Sequence, residues 1–221
     1  MGYGIRLKNT DGVVIINEKY GNYMKHAEGE DTFTNTLTKT IDNTIIPPVI
    51  LIQPSSDYPC ALASVHKTDS NYDGFFIRTY LNKQITIKWK VYIPHKGVSG
   101  EDYGLRIKDD LGNLVFDSGH SYFKIREVHN VTFDSEAHYI DISHPNYSNP
   151  YYILNAGLVG IQWVAGYPSG TVYYMRVGIQ KLSSTSVRLV SFIVFQGNGG
   201  SQPSEIVYIG NFNAKLVVCE T

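Results

Sequence analysis

The side chains that chemistry would need fall into a few groupings. His138, Asp141 and His144 offer two imidazoles and a carboxylate close together in the chain, the ligand types of a zinc site. In a strand, however, His138 and His144 project to the face of Ile140 and Ile142 while Asp141 projects to the other, so the ligands do not converge. Asp117-Ser118-Gly119-His120 holds the letters of a hydrolytic triad. Triad members come from separate elements, and adjacent side chains cannot adopt that geometry; the run reads as a hairpin exit. The Gly197-Asn198-Gly199-Gly200-Ser201 run lacks the Lys-Ser/Thr of a phosphate-binding loop and precedes a strand instead of a helix. Paired carboxylates would suit glycoside hydrolysis, but Asp and Glu here fall mostly at turns. The expectation is a protein without catalytic, cofactor-binding or metal-ligating residues, and not an enzyme.

The aromatics point to binding. Tyr147, Tyr151, Tyr152 and Tyr167 lie in or beside loops at the start of strands in the second half, where exposed rings stack on sugars or anchor a protein contact. The competing reading is that they cap a β-sandwich core.

Composition says which scaffold must carry these groups. In 221 residues, 43% are hydrophobic and only 18% charged, a balance that argues for a real core and against disorder. The 17 tyrosines and 20 glycines, with abundant Thr, Val and Ile, favour strands joined by tight turns, and no segment holds a helical period. A net charge of −1 and a pI near 6.6 argue against nucleic acid as a partner. No apolar run is long enough to span a bilayer as a helix: Ile45 to Ile52 is broken by Pro47 and Pro48, and Leu189 to Phe195 is short. The start of the chain has no secretory pattern, and Arg6 breaks the myristoylation pattern after Met1-Gly2. Cys60 and Cys219 read as reduced thiols, and the acceptor patterns at Asn130-Val131-Thr132 and Asn146-Tyr147-Ser148 as incidental.

The organising pattern is a repeat. Tyr103-Gly104-Leu105-Arg106-Ile107-Lys108-Asp109-Asp110-Leu111-Gly112 opens a hairpin that resumes at Leu114 and Phe116. Tyr3-Gly4-Ile5-Arg6-Leu7-Lys8-Asn9-Thr10-Asp11-Gly12 does the same 100 residues earlier. Phe75-Phe76-Ile77-Arg78 finds Tyr173-Tyr174-Met175-Arg176, and Val49 to Ile52 finds Leu158 to Ile161. The chain therefore reads as all-β: two tandem β-sandwich-like domains from an internal duplication, at 1–95 and 103–221, joined by a 96–102 linker, with a C-terminal hairpin of Glu205 to Tyr208 and Lys215 to Val218. Within the first domain, Glu28-Gly29-Glu30-Asp31 reads as a loop and Phe33 to Ile41 as one strand with a wet face of threonines.

Tyr103 to Ser118, together with Tyr173 to Arg176, resembles a family of tailed-bacteriophage tail proteins found in tail tips and fibres, whose hairpin begins Tyr-Gly-aliphatic and ends Phe-Asp-Ser. The first half departs from it, with Ile16-Asn17-Glu18 in place of Phe-Asp-Ser. The resemblance implies a virion tail component, assembled in the host cytoplasm, without a catalytic site. Its expected partners are other tail proteins, further copies of itself and a host surface glycan or protein. The alternative is a lectin-like module using the Tyr147 to Tyr152 loop, with a glycan hydrolase ranked last.

Overall fold

A computed structural model describes residues 6–8, 14–17, 22–54, 58–80, 82–94, 99–102, 104–133, 139–155, 158–164, 171–198 and 212–221. Among them there are strands and no helix. In chain order these are β1 (Arg6–Lys8), β2 (Val14–Asn17), β3 (Tyr23–Thr34), β4 (Thr36–Thr44), β5 (Val49–Pro54), β6 (Cys60–Thr68), β7 (Asn71–Thr79) and β8 (Gln84–Pro94). There follow β9 (Arg106–Lys108), β10 (Leu114–Asp117), β11 (Lys124–Phe133), β12 (Tyr139–Ser143), β13 (Tyr151–Asn155), β14 (Leu158–Val164), β15 (Thr171–Ser183), β16 (Ser186–Asn198) and β17 (Phe212–Glu220).

Two hairpins, β1–β2 and β9–β10, stand apart from two larger antiparallel sheets. Sheet I has the order β11-β17-β13-β5-β8-β3, and sheet II the order β12-β16-β15-β6-β7-β4, with β14 added alongside β15. Strict alternation fixes which face of each strand is buried. On β8, Ile85, Ile87, Trp89 and Val91 point inward while Lys88 and Lys90 point out. Those inward residues join Ile52, Phe75, Ile77, Phe133, Tyr152, Ile179, Leu189 and Leu216 in one core between the sheets.

Each sheet reads the same from either end when strands are matched by their place in the two halves, β3 with β11, β4 with β12, β5 with β13, β6 with β15, β7 with β16 and β8 with β17. The halves meet edge to edge in both sheets, with Ile52 opposite Tyr152 in sheet I and Cys60 opposite Ile179 in sheet II. Finer features recur too. The pair Arg6 and Asn17 has the register of Arg106 and Asp117, with the same irregularity one residue on. The register slips between Lys25 and Ala27 in β3 and between Ile125 and Glu127 in β11, and such bulges bend a strand.

Beyond those bulges the two strand starts meet. Met24 pairs with Tyr122, and the Lys25 amide donates to the Ser121 carbonyl at 2.7 Å. This places Tyr23 and Phe123 over the face of sheet I that is turned away from sheet II, where they cover Leu51, Tyr92 and Cys219 in a second, smaller core. Phe123 packs edge-on against Tyr92 with ring centroids 4.9 Å apart.

Four local readings change. The segment equivalences expected within the repeat do not hold: by place in the sheets, the β5 strand of Val49 to Ile52 answers β13 and not Leu158 to Ile161 of β14, and the β7 strand of Phe75 to Arg78 answers β16 and not Tyr173 to Arg176 of β15. Glu28 to Asp31 is not a loop but the middle of β3: Glu28 and Glu30 face Lys90 and Lys88 across the strand pair, and Asp31 accepts hydrogen bonds from Trp89 Nε1 and Lys39 Nζ. Gly29 belongs there because a Cβ would stand 2.6 Å from the Trp89 ring. The single strand expected from Phe33 to Ile41 breaks at Asn35, whose φ of 65° turns the chain from sheet I into sheet II. The last strand, β17, lies between β11 and β13, paired on both edges; the 205–208 arm expected beside it lies outside the described residues.

Because both sheets run unbroken through the middle, the halves are expected to unfold together. Truncating buried Ile52 to Ala removes packing at the junction and should cost about 2–5 kcal/mol within one cooperative transition. Calorimetry on the full chain checks this; two transitions, of which I52A moves only one, would mean that the halves fold independently.

Candidate functional site

The tyrosines singled out in the sequence are not gathered at one place. Tyr151 and Tyr152 alternate on β13 and so face opposite sides of sheet I. Tyr152 is buried, and its hydroxyl bonds His144 Nε2 at 2.6 Å. His144 Nδ1 donates to the Tyr147 carbonyl at 3.0 Å, which leaves Nε2 as the acceptor for that hydroxyl. Burial pushes ionisation of Tyr152 far above the ordinary range for tyrosine. Tyr151 is half-buried in the smaller core with the Lys90 ammonium 4.8 Å above its ring, and Tyr147 is half-buried with the Arg126 guanidinium 5.8 Å away. Tyr167 lies outside the described residues.

The other groupings are likewise engaged. Asp141 forms a two-pronged pair with Arg188, at 2.6 and 2.8 Å, and that guanidinium covers the Tyr139 ring at 3.9 Å. The Arg188 pair pulls the Asp141 carboxyl below its usual range. His144 is fully buried and committed as above; His138 lies outside the described residues. On the β6–β7 hairpin, Asp73 accepts from Thr68 Oγ1 at 2.6 Å and pairs with His66.

The motif hairpin is built as a bracket around Asp117, which is 1% exposed. Its carboxylate accepts from the Ser99 amide and hydroxyl, the Gly119 amide and Arg106 Nε, all within 2.9–3.1 Å. Arg106 Nη2 also reaches back to the Ser99 and Glu101 carbonyls, tying the stretch expected as a linker to the hairpin. Ser118 Oγ accepts from the Leu105 amide at 2.8 Å. Gly104, at φ +152°, leaves room for that serine, since a Cβ would lie 2.5 Å from Ser118 Oγ. Tyr122 donates its hydroxyl proton to the Asp117 carbonyl and accepts from the Asp117 amide, while its ring stacks on Phe116 at 5.1 Å. The Gly, Arg and Phe-Asp-Ser positions of the signature therefore encode a turn that holds itself; Tyr103 lies outside the described residues.

The described residues also form an open cleft of about 450 Å³ that the sequence did not advertise. Asn130 and Thr132 on β11, Asn213 and Lys215 on β17 and Asn155 on β13 line it. All five point outward from sheet I, alternating with the buried Val131, Ala214 and Leu216 or the half-buried Leu154. Each looks in isolation like the wet face of a strand, and only cross-strand register puts them together.

Hydrogen bonds from the Ser99 amide above all, then from the Gly119 amide, the Ser99 hydroxyl and Arg106, hold the Asp117 carboxyl well below the carboxylate range against the opposing effect of desolvation. A lowered folded-state pKa contributes stability that is complete above the unfolded value of about 4 and is lost as pH falls towards the folded one. The stability difference between the wild type and Asp117→Asn should thus be constant from about pH 7 to 5 and shrink below about pH 4, as denaturant melts at each pH will register. A difference that grows in acid would contradict the bracket. Cys60 and Cys219 are buried free thiols in different cores, and burial pushes both up to about 12. Ellman's reagent should label neither in the folded protein and both in denaturant; rapid labelling of the native chain would contradict that placement.

Compared with models of known families, with curated proteins and with solved structures, the chain gives no match.

Proposed function

We propose that this chain is a non-catalytic structural subunit of a bacteriophage tail, in the tip or fibre region, and that its two halves descend from one duplicated unit. The observation that carries the structural role is the use of the motif side chains. Gly104, Arg106, Asp117 and Ser118 are all spent on holding a hairpin, and the hairpin is docked on the other half through the Asn22 amide and the Val115 carbonyl at 3.1 Å. A motif that serves a docked turn suits a component whose work is to hold shape. The duplication is supported by the matched strand order of both sheets, the common hairpin register and the bulges one hundred residues apart.

Self-association suits the surface. Leu111, 83% exposed at the hairpin tip, and Leu105 at the hairpin base project apolar surface, as do Ile125 on edge strand β11 and Tyr139 on edge strand β12. Unpaired edges with such side chains are where symmetric subunits join. Tail proteins and further copies of this chain are the partners on this reading. A near-neutral charge gives no footing for nucleic acid.

The test is the mass of the full chain by size-exclusion chromatography with light scattering, alongside antibody labelling of intact particles. A discrete oligomer and labelling confined to tails are expected. Leu111→Asp should weaken assembly while leaving the melting temperature in place. A strict monomer absent from particles would overturn the reading.

A further inference from the structure

The outward face of sheet I carries the same framework in both halves and opposite chemistry. In the first half its cross-strand rows are Glu28, Lys90 and Leu51, then Glu30, Lys88 and Gln53. Ion pairs cover it: Lys25 and Lys90 reach Glu28 at 3.0 and 3.4 Å, and Lys88 reaches Glu30 at 4.0 Å. Gln53 is committed as well, donating to the carbonyls of Asn149 and Pro150.

In the same register, the second half presents Val128, Val217 and Ile153, then Asn130, Lys215 and Asn155. Both glutamates are replaced, by Val128 and Asn130, and Val217 takes the place of Lys90. Lys215 keeps the position of Lys88 but has no carboxylate among the described residues that line the cleft. Beyond this row, Thr132 Oγ1 donates to Asn213 Oδ1 at 2.8 Å and so orients that amide. The result is a cation flanked by two amides, with Val128, which is 49% exposed, on the same face one row along.

We propose that this cleft binds an acidic saccharide. The Lys215 ammonium takes the carboxylate as a charge-assisted hydrogen bond. Asn130 and Asn155 each present both a donor and an acceptor, which matches neighbouring sugar hydroxyls. The exposed Val128 side chain, one row beyond the cleft on the same face, packs against the C–H face of a ring that extends from it. A volume of about 450 Å³ holds one to two sugar rings. The site adds a ligand to the structural role, and its test does not depend on whether the chain belongs to a virion.

The experiment uses the full-length chain on an array of uronic-acid- and sialic-acid-bearing glycans with neutral counterparts, followed by calorimetric titration with the best-retained glycan and with inorganic phosphate. Retention of carboxylated glycans over neutral ones is expected. Lys215→Gln should weaken binding by about tenfold or more, and so should N130E, which restores the carboxylate that the first half places beside its lysine. Lys88→Gln, on the ion-paired half, should leave binding unchanged. Thermal melts show that each variant is folded, and if N130E is not, K215Q alone decides. No retained acidic glycan, binding indifferent to K215Q, or phosphate bound as tightly as the glycan would each overturn the proposal.

Discussion

Everything in this fold depends on the junction where the two halves join their sheets. An antiparallel edge left open exposes a row of unpaired amides and carbonyls, and each half would have one such edge on β5 or β13 in sheet I and another on β6 or β15 in sheet II. Placing the halves edge to edge brings these edges together, with a register pair in each sheet. It also lets Ile52, Tyr152, Cys60 and Ile179 close one core across the junction. Neither half then needs a complete core of its own.

At the outer strands of sheet I, β3 and β11, a second device works near the strand starts. A bulge near the start of β3 and another near the start of β11 bend both strands over the back of sheet I, where they pair with each other and seal Leu51, Tyr92 and Cys219 from water. The Asp117 bracket sits beside this crossing and positions the segment that leads into β11. The polar groups that looked reactive in the sequence are thus distributed among folding tasks: Asp117 in a turn, Asp141 in a surface ion pair, His144 in the core.

What could be read directly from the chain was whatever is local. The Tyr-Gly-aliphatic-Arg repeat, the tight turns and the alternation of Ile85, Ile87, Trp89 and Val91 all announce themselves within a few residues, and the all-β class follows from them. The misread segments are those whose partners are remote. Glu28 to Asp31 has the composition of a loop until Lys88, Lys90 and Trp89 are set opposite it. β17 looks like the end of a hairpin until its two distant neighbours are known. The cleft around Lys215 was illegible for the same reason, because what marks it is the absence of a glutamate on another strand.

The direct measure of the central claim, that the two halves form one body through their shared sheets, is native-state hydrogen exchange on the full chain. Amides of β5, β6, β13 and β15 should all exchange only through global unfolding, with a common free energy. Protection lost in one half at a free energy well below that of the other would contradict it.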